Sequence, residues 1–312
     1  MTVRFDPTRR DVLAGSVAAL GACVAGLPTT LARAASGVHK FNLGSMEVTV
    51  LSDGILNMPT RLLNRDMDPA RIEAALDGAL SAPGHVQFGV NVALVRHGKD
   101  LVLIDAGAGS TWQPTVGKLA DRLAAASIDP KSVTKVVATH GHPDHIWGLV
   151  DDFDELRFPN ADYIMPAAEL DYWRQVDVAT LPARMQGVAA GAKRVIGEVG
   201  ERLSAAPAEI ELLPGVSYIA TPGHTPGHSS VRLTSGSHGL IVAADAVFHP
   251  VVSFAHPDWQ PASDMDGALA VVSRRRLLDI AATDKLQMIA YHIPFPGLGR
   301  VERHAGAYLW RS

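Results

Sequence analysis

The stretch "VVATHGHPDH", residues 136–145, sets three histidines and an aspartate within six positions, directly behind an apolar, β-branched run. Neutral imidazole and carboxylate are good ligands for zinc-like ions, and a strand that stops where the ligands start delivers several of them to one point. A single histidine behind a strand reads as a hydrogen-bonded or surface residue. Four donors this closely spaced read instead as a metal site, with His140, His142, Asp144 and His145 as candidate ligands. One cluster leaves open how many ions are held and what closes their shells.

Moving outward, the same local arrangement recurs. "VSYIATPGH" ends on His224, "SSVRLTSGSHGLIVAAD" ends on Asp245 and "KLQMIAYH" ends on His292, each a β-rich run finishing on a metal-competent side chain. These residues are far apart in sequence but equivalent in position, and loops at one edge of a strand scaffold bring such groups together. The connecting stretches supply the scaffold. "VNVALVRHGKDLVLIDAGAG" reads as two strands around a turn at Gly98-Lys99, and "RFPNADYIMP" as a further strand. "VGKLADRLAAASI", "AAELDYWRQV" and "GALAVVSRRRLLDI" have helical periodicity, while residues 179–203 read as an alanine-rich helix with a flexible opening. Strand-rich halves, each followed by helices, imply one α/β domain with two sheets packed together and helices outside.

Several neighbours have two readings. Asp105, closing "LVLID", either orients a ligand histidine, since metal-bound imidazoles donate their other N–H outward, or caps the turn in "DAGAG"; the two roles are compatible. His228 reads as a structural hydrogen-bonding residue. His249 and His256 flank the loop after Asp245, as substrate contacts or as solvated loop residues. The run Arg274–Arg276 reads as a solvated helix face.

Composition narrows the function classes. The chain has 312 residues, 47% hydrophobic, a formal net charge of −4 and no basic stripe, which argues against a nucleic-acid partner. Residues 1–34 read as a twin-arginine-type export signal. Arg9 and Arg10 precede an uncharged run from Val12 to Leu27, and Ala32-Arg33-Ala34 offers a cleavage site. The expectation is a periplasmic or secreted protein with residues 35–312 as the mature domain; "LGAC", ending at Cys23, is the competing lipoprotein reading. Cleavage after Ala34 removes four arginines and two aspartates, moving the net charge from −4 to −6, and removes the single cysteine. Any metal site is then built from His and carboxylate. No other apolar run reaches membrane-spanning length.

With "HGHPDH", "PGHTPGH", "AAD" and His292 in place, the chain resembles the metallo-β-lactamase-fold hydrolase superfamily. That resemblance implies an αββα four-layer sandwich and two divalent metal ions, zinc first, with manganese, iron or cobalt as alternatives. It assigns His140, His142 and His224 to one ion, Asp144, His145 and His292 to the other, and Asp245 as the bridge. It further implies a hydroxide nucleophile generated from water shared by the ions, with Asp144 and Asp245 in the catalytic centre. The bridging Asp245 weighs against a β-lactam substrate, and His142 stands where redox relatives carry a glutamate. "LSDG", "LVLIDAGAG", "FPNA" and "PFPGLG" extend the resemblance to the branch containing methyl parathion hydrolase. By that analogy Trp112 and Trp173 line a leaving-group pocket, Trp173 having core burial as its alternative, while a further aromatic has no counterpart in "PARMQGVAAGAKRV". The implied substrates are small lactones or aryl esters, with phosphotriesters second. A metal- or ligand-binding protein without turnover is the reading from another class, and a homodimer is expected by analogy alone.

Overall fold

A computed structural model describes residues 36–312 except 77 and 79, so the export-signal and lipoprotein readings fall outside the described residues. Strands β1 (Val38–Leu43), β2 (Met46–Pro59), β3 (His85–His97) and β4 (Asp100–Ile104) run antiparallel. Helix α1 (Pro69–Ala75) lies between β2 and β3. Helix α2 (Leu119–Ala125) follows β4, and β5 (Lys135–Val137) then pairs parallel to β4. The short helix α3 (Pro143–Ile146), strand β6 (Asp162–Pro166), helices α4 (Ala167–Gln175) and α5 (Ala183–Val199) and strand β7 (Leu203–Ala206) complete this half. Its seven strands lie in the order β1-β2-β3-β4-β5-β6-β7.

The second sheet holds β8 (Glu211–Leu213), β9 (Val216–Ala220), β10 (Ser229–Ser235), β11 (His238–Val242), β12 (Gln287–Ile289), β13 (Leu298–His304) and β14 (Ala307–Arg311). Helices α6 (Val252–Ala255) and α7 (Gly267–Thr283) connect β11 to β12. Between the sheets, Val48, Val50, Val102, Ile104, Val231, Val242 and Ile289 form one apolar layer. Outside the first sheet, Tyr163 and Met165 pack with Leu170, Ala192 and Val195 of α4 and α5. Beyond the second, Ile241 and Met288 pack with Leu277, Leu278 and Ala281 of α7. The layers are therefore helix, sheet, sheet, helix, the αββα sandwich of the sequence reading.

Strand direction explains why the ligand-bearing ends meet. β9 and β11 are each antiparallel to β10, and β12 is parallel to β11, so β9, β11 and β12 all finish at one edge. β4 and β5 likewise finish together in the first sheet. Cross-sheet ties then hold the two edges. Tyr218 Oη donates to the Ala138 carbonyl (2.7 Å), Ser229 N to the Thr139 carbonyl (3.1 Å), and buried Asn91 Nδ2 to the carbonyls of Ala290 (3.2 Å) and Ile293 (2.7 Å). The alanine-rich region is shorter than expected: a 3₁₀ turn at Val178–Thr180 precedes α5, whose end is set by Gly200 at φ 59°.

Candidate metal centre

Beyond β5 the chain turns sharply, and Pro143, whose ring presets the helical φ, starts the single turn α3. This turn places Asp144 and His145 beside His140 and His142, all buried. His224, Asp245 and His292 arrive from the other sheet. The donor atoms form two groups, His140, His142, His224 and Asp245 in one and Asp144, His145 and His292 in the other, each within 4.8 Å internally. Asp245 faces both. Its Oδ2 lies 3.1 Å from His224 Nε2 and 3.9 Å from His140 Nε2, while its Oδ1 lies 2.9 Å from His145 Nε2 and 3.2 Å from His292 Nε2. Asp144 Oδ2 is 3.4 Å from His292 Nε2.

This donor set fits two divalent cations. His140 Nε2, His145 Nε2 and Asp245 Oδ1 are buried and make no hydrogen bond, an arrangement costly without an ion to satisfy it. His142 Nδ1 and His224 Nε2 face each other at 2.9 Å, as two ligands of one ion would. Burial, helped by neighbouring imidazoles, pushes His140 and His142 well below the ordinary histidine range and keeps them in the neutral form that binds metal. Burial also opposes charge on His224, yet Asp245 and Asp264 outweigh it and raise that group to about 9. Asp245 is held well below the usual carboxylate range: burial pulls the other way, but the surrounding imidazoles prevail.

The outward-facing nitrogens are fixed individually. His145 Nδ1 donates to Asp105 Oδ2 (2.8 Å), which also accepts from Thr139 Oγ1 (2.9 Å), while Asp105 Oδ1 accepts from Thr139 N (2.8 Å). Asp105 thus orients a ligand and closes the turn, the latter at φ 61°. His292 Nδ1 donates to the Gly89 carbonyl (2.8 Å) and His224 Nδ1 to Asp264 Oδ1 (2.8 Å). His228 is structural: Nδ1 donates to the Thr221 carbonyl (3.0 Å) and Nε2 accepts from Asp245 N (3.1 Å), with burial pushing it down to about 3.

A cleft open to solvent leads to the donors between Leu56, Met58, Phe88, Trp112, Phe248 and Pro261. Trp112 is on this wall. Trp173 is not: it is fully buried, its ring stands 6.0 Å edge-on behind His142, and its indole N–H donates to Glu169. His249 lies behind Phe88, centroids 6.2 Å apart, and its Nδ1 accepts from Val251 N and Val252 N, both at 3.2 Å. It therefore supports the wall and does not line the cleft. His256 stacks on Trp259 at 4.7 Å, outside the cleft lining.

The solvated-face reading of Arg274–Arg276 fails at its first residue. Arg275 and Arg276 are partly exposed ion-pair formers, but Arg274 is only 1% exposed and pairs with Asp264 at 3.2 Å, because the turn of α7 directs it inward. Sequence reading also missed Asp264 and two further buried acids. Glu169 accepts from Gly141 N (2.9 Å), Gly227 N (2.9 Å), Thr225 Oγ1 (2.7 Å) and Trp173 Nε1, so it joins the loops that carry His140, His142 and His224. Asp53, in "LSDG", accepts from the backbone N–H of Ala108, Gly117 and Leu119 and holds the segment bearing Trp112; burial raises it to about 6 against those three bonds. The sequence signals for Asp53 were its place in "LSDG" and the glycine-rich context of its partners, neither of which showed what it binds.

Residues 85–286 match the Metallo-beta-lactamase superfamily, and the chain belongs to that family. Among curated relatives, an N-acyl homoserine lactonase from Bacillus cereus is 31% identical over 77 residues, 25% of this chain and 30% of the lactonase. Metallo-beta-lactamase domain-containing protein 1 from Homo sapiens is 28% identical over 200 residues, 62% of this chain and 59% of that protein. Among solved structures, AidC, a dizinc quorum-quenching lactonase in complex with a product, superposes with a TM-score of 0.83 at 28% identity, covering 88% of this chain and 96% of that one. The hydrolase AbOPH superposes at 0.81 with 30% identity, covering 88% and 97%.

Proposed function

We propose that this protein is a dinuclear metallohydrolase that opens a small lactone or aryl ester. The observation that carries the reading is the carboxylate of Asp245, one oxygen toward each donor group, at the floor of an apolar cleft. Two divalent ions held there would supply an acidified water and an electrophilic pole for the substrate's carbonyl oxygen. The chain's own residues do the rest. Phe88, Trp112 and Phe248 hold the apolar part of the substrate and exclude water around it. Asp144 lines the cleft beside Asp245. It is placed to take the proton lost by the attacking water and return it to the departing alkoxide, giving the alcohol and a carboxylic acid whose remaining proton passes to solvent. The lactonases among the similar proteins support the substrate class.

Phosphotriesters are the second reading, favoured by the aromatic wall at Phe88 and Trp112, which suits an aryl leaving group in either chemistry. A binding protein without turnover is disfavoured by a cleft that leads directly onto Asp144 and Asp245. Elemental analysis of the purified chain, with a hydrolysis screen of lactones, aryl esters and phosphotriesters on the same sample, tests the proposal. Two ions per chain with turnover of the first two classes is expected; two ions without turnover of any class refutes it. On the sequence grounds of Arg9, Arg10 and Ala32-Arg33-Ala34, we propose further that the protein acts in the periplasm or is secreted. No helix among the described residues is long and apolar enough to cross a membrane.

A further inference from the structure

The guanidinium of Arg274 reaches four separate parts of the site. Nε donates to the Ala246 carbonyl (3.0 Å), Nη1 to the carbonyls of Pro257 (2.8 Å) and Trp259 (2.9 Å), and Nη2 to Asp264 Oδ2 (3.2 Å). Its central carbon also sits over the Phe248 ring, 5.1 Å from the centroid. Each partner leads to the cleft or the donors. Asp264 uses its other oxygen to fix His224, Phe248 is cleft wall, and the segment from Pro257 to Asp264 carries Pro261 and Ser263 on that wall. Arg65 adds a second brace, donating to the carbonyls of Pro261 and Asp264.

The two donor groups do not share this support. His145 is oriented by Asp105, which pairs with no arginine among the described residues and is bonded to Thr139, whose hydroxyl also lies 3.1 Å from His140 Nδ1. Asp245 has an anchor of its own, through its N–H to His228. The His224 ring has Asp264 on its outward nitrogen, and Arg274 is the only arginine or lysine paired with the Asp264 side chain among the described residues. A buried carboxylate without its counter-charge is strongly destabilised.

We propose that Arg274 is a positioning residue: through Asp264 and the segment from Pro257 to Asp264, it sets the His224 ring and the adjoining cleft wall as one unit. In the second donor group, Asp105 holds His145 and the Gly89 carbonyl holds His292. A planar fork with five donors spans these partners at once, and a lysine ammonium, a compact point charge, does not. The proposal rests on the dinuclear reading above.

The test is stepwise metal binding by the purified full chain, with Zn²⁺ competed against a chelator, on wild type, Arg274→Lys, Asp264→Asn, Asp105→Asn and the Arg274→Lys/Asp105→Asn double variant. Far-UV circular dichroism checks folding. Arg274→Lys should weaken one of the two binding steps by about 10–100-fold, the usual effect of losing a ligand's outer partner. Asp105→Asn should weaken chiefly the other step, through His145, and the double variant both. KM for the best substrate should rise in Arg274→Lys with kcat less affected, because the wall moves with His224. If Arg274→Lys does not fold, Asp264→Asn carries the same expectation. Both steps falling together in Arg274→Lys, neither step moving, or Arg274→Lys and Asp105→Asn weakening the same step overturns the role of Arg274. A wild type that binds fewer than two ions overturns the dinuclear reading, and this role with it.

Discussion

Replacing Glu169 with glutamine separates a clamp from a filler. The carboxylate is fully buried and accepts four hydrogen bonds, from Gly141 N and Trp173 Nε1 on Oε1 and from Thr225 Oγ1 and Gly227 N on Oε2. Burial pushes this group above the ordinary glutamate range, while the four donors pull it back, so the site is built around the ionised form. Glutamine keeps the shape but presents one NH₂ to a pair of donors. With its oxygen left toward Gly141 and Trp173, the amide meets Thr225, whose hydroxyl can turn to accept, and the N–H of Gly227, which cannot. One buried donor is then orphaned, at about 1–3 kcal/mol, and three bonds lose their ionic strengthening. The net loss should be about 2–4 kcal/mol, which for a domain of this size lowers Tm by on the order of 10 °C. Urea unfolding and thermal melts of metal-depleted protein measure it. A loss below about 0.5 kcal/mol, the range of an ordinary surface substitution, would refute the clamp.

Asp245→Ala should lower metal content and activity together, seen by elemental analysis beside the hydrolysis assay; an active, fully metallated variant contradicts the bridging role. His249 should make the protein acid-sensitive. Burial lowers this group to about 4, so the unfolded chain takes up its proton first and stability falls as pH drops from 6.5 toward 4, by up to about 3 kcal/mol. His249→Asn, which can still accept from Val251 and Val252, should flatten that part of a stability-against-pH curve measured by urea unfolding. A Cβ on Gly141 would lie 2.3 Å from Trp173 Nε1, so Gly141→Ala should cost about 1–3 kcal/mol, read in the same unfolding assay. In cells, Arg9→Lys/Arg10→Lys should retain the protein in the cytoplasm, as fractionation of a tagged full-length chain would report.

The sequence by itself determined the layered α/β architecture and pointed to the seven candidate metal donors that the fold brings together. Alternating and β-branched runs mark strands through local pattern, and donors grouped in "THGHPDH" or placed at strand ends are visible without knowing what they face. It also suggested Asp105, because that residue closes a strand in the same manner. What it did not determine was everything fixed by pairing between distant segments. Glu169 is a single acid in an unremarkable local context and Asp53, although it lies in "LSDG", carries no local sign of its partners; the roles of both exist only because 28 or more residues of intervening chain return backbone N–H groups to them. Trp173 and Trp112 are alike as sequence signals, yet the turn of α4 packs one behind His142 while the segment held by Asp53 places the other on the cleft wall. Arg274 looks the same as Arg275 and Arg276 along the chain. Only the tertiary structure decides that its direction on α7 is inward, toward a carboxylate and three carbonyls, since side-chain direction on a helix acquires meaning from the surface it is packed against.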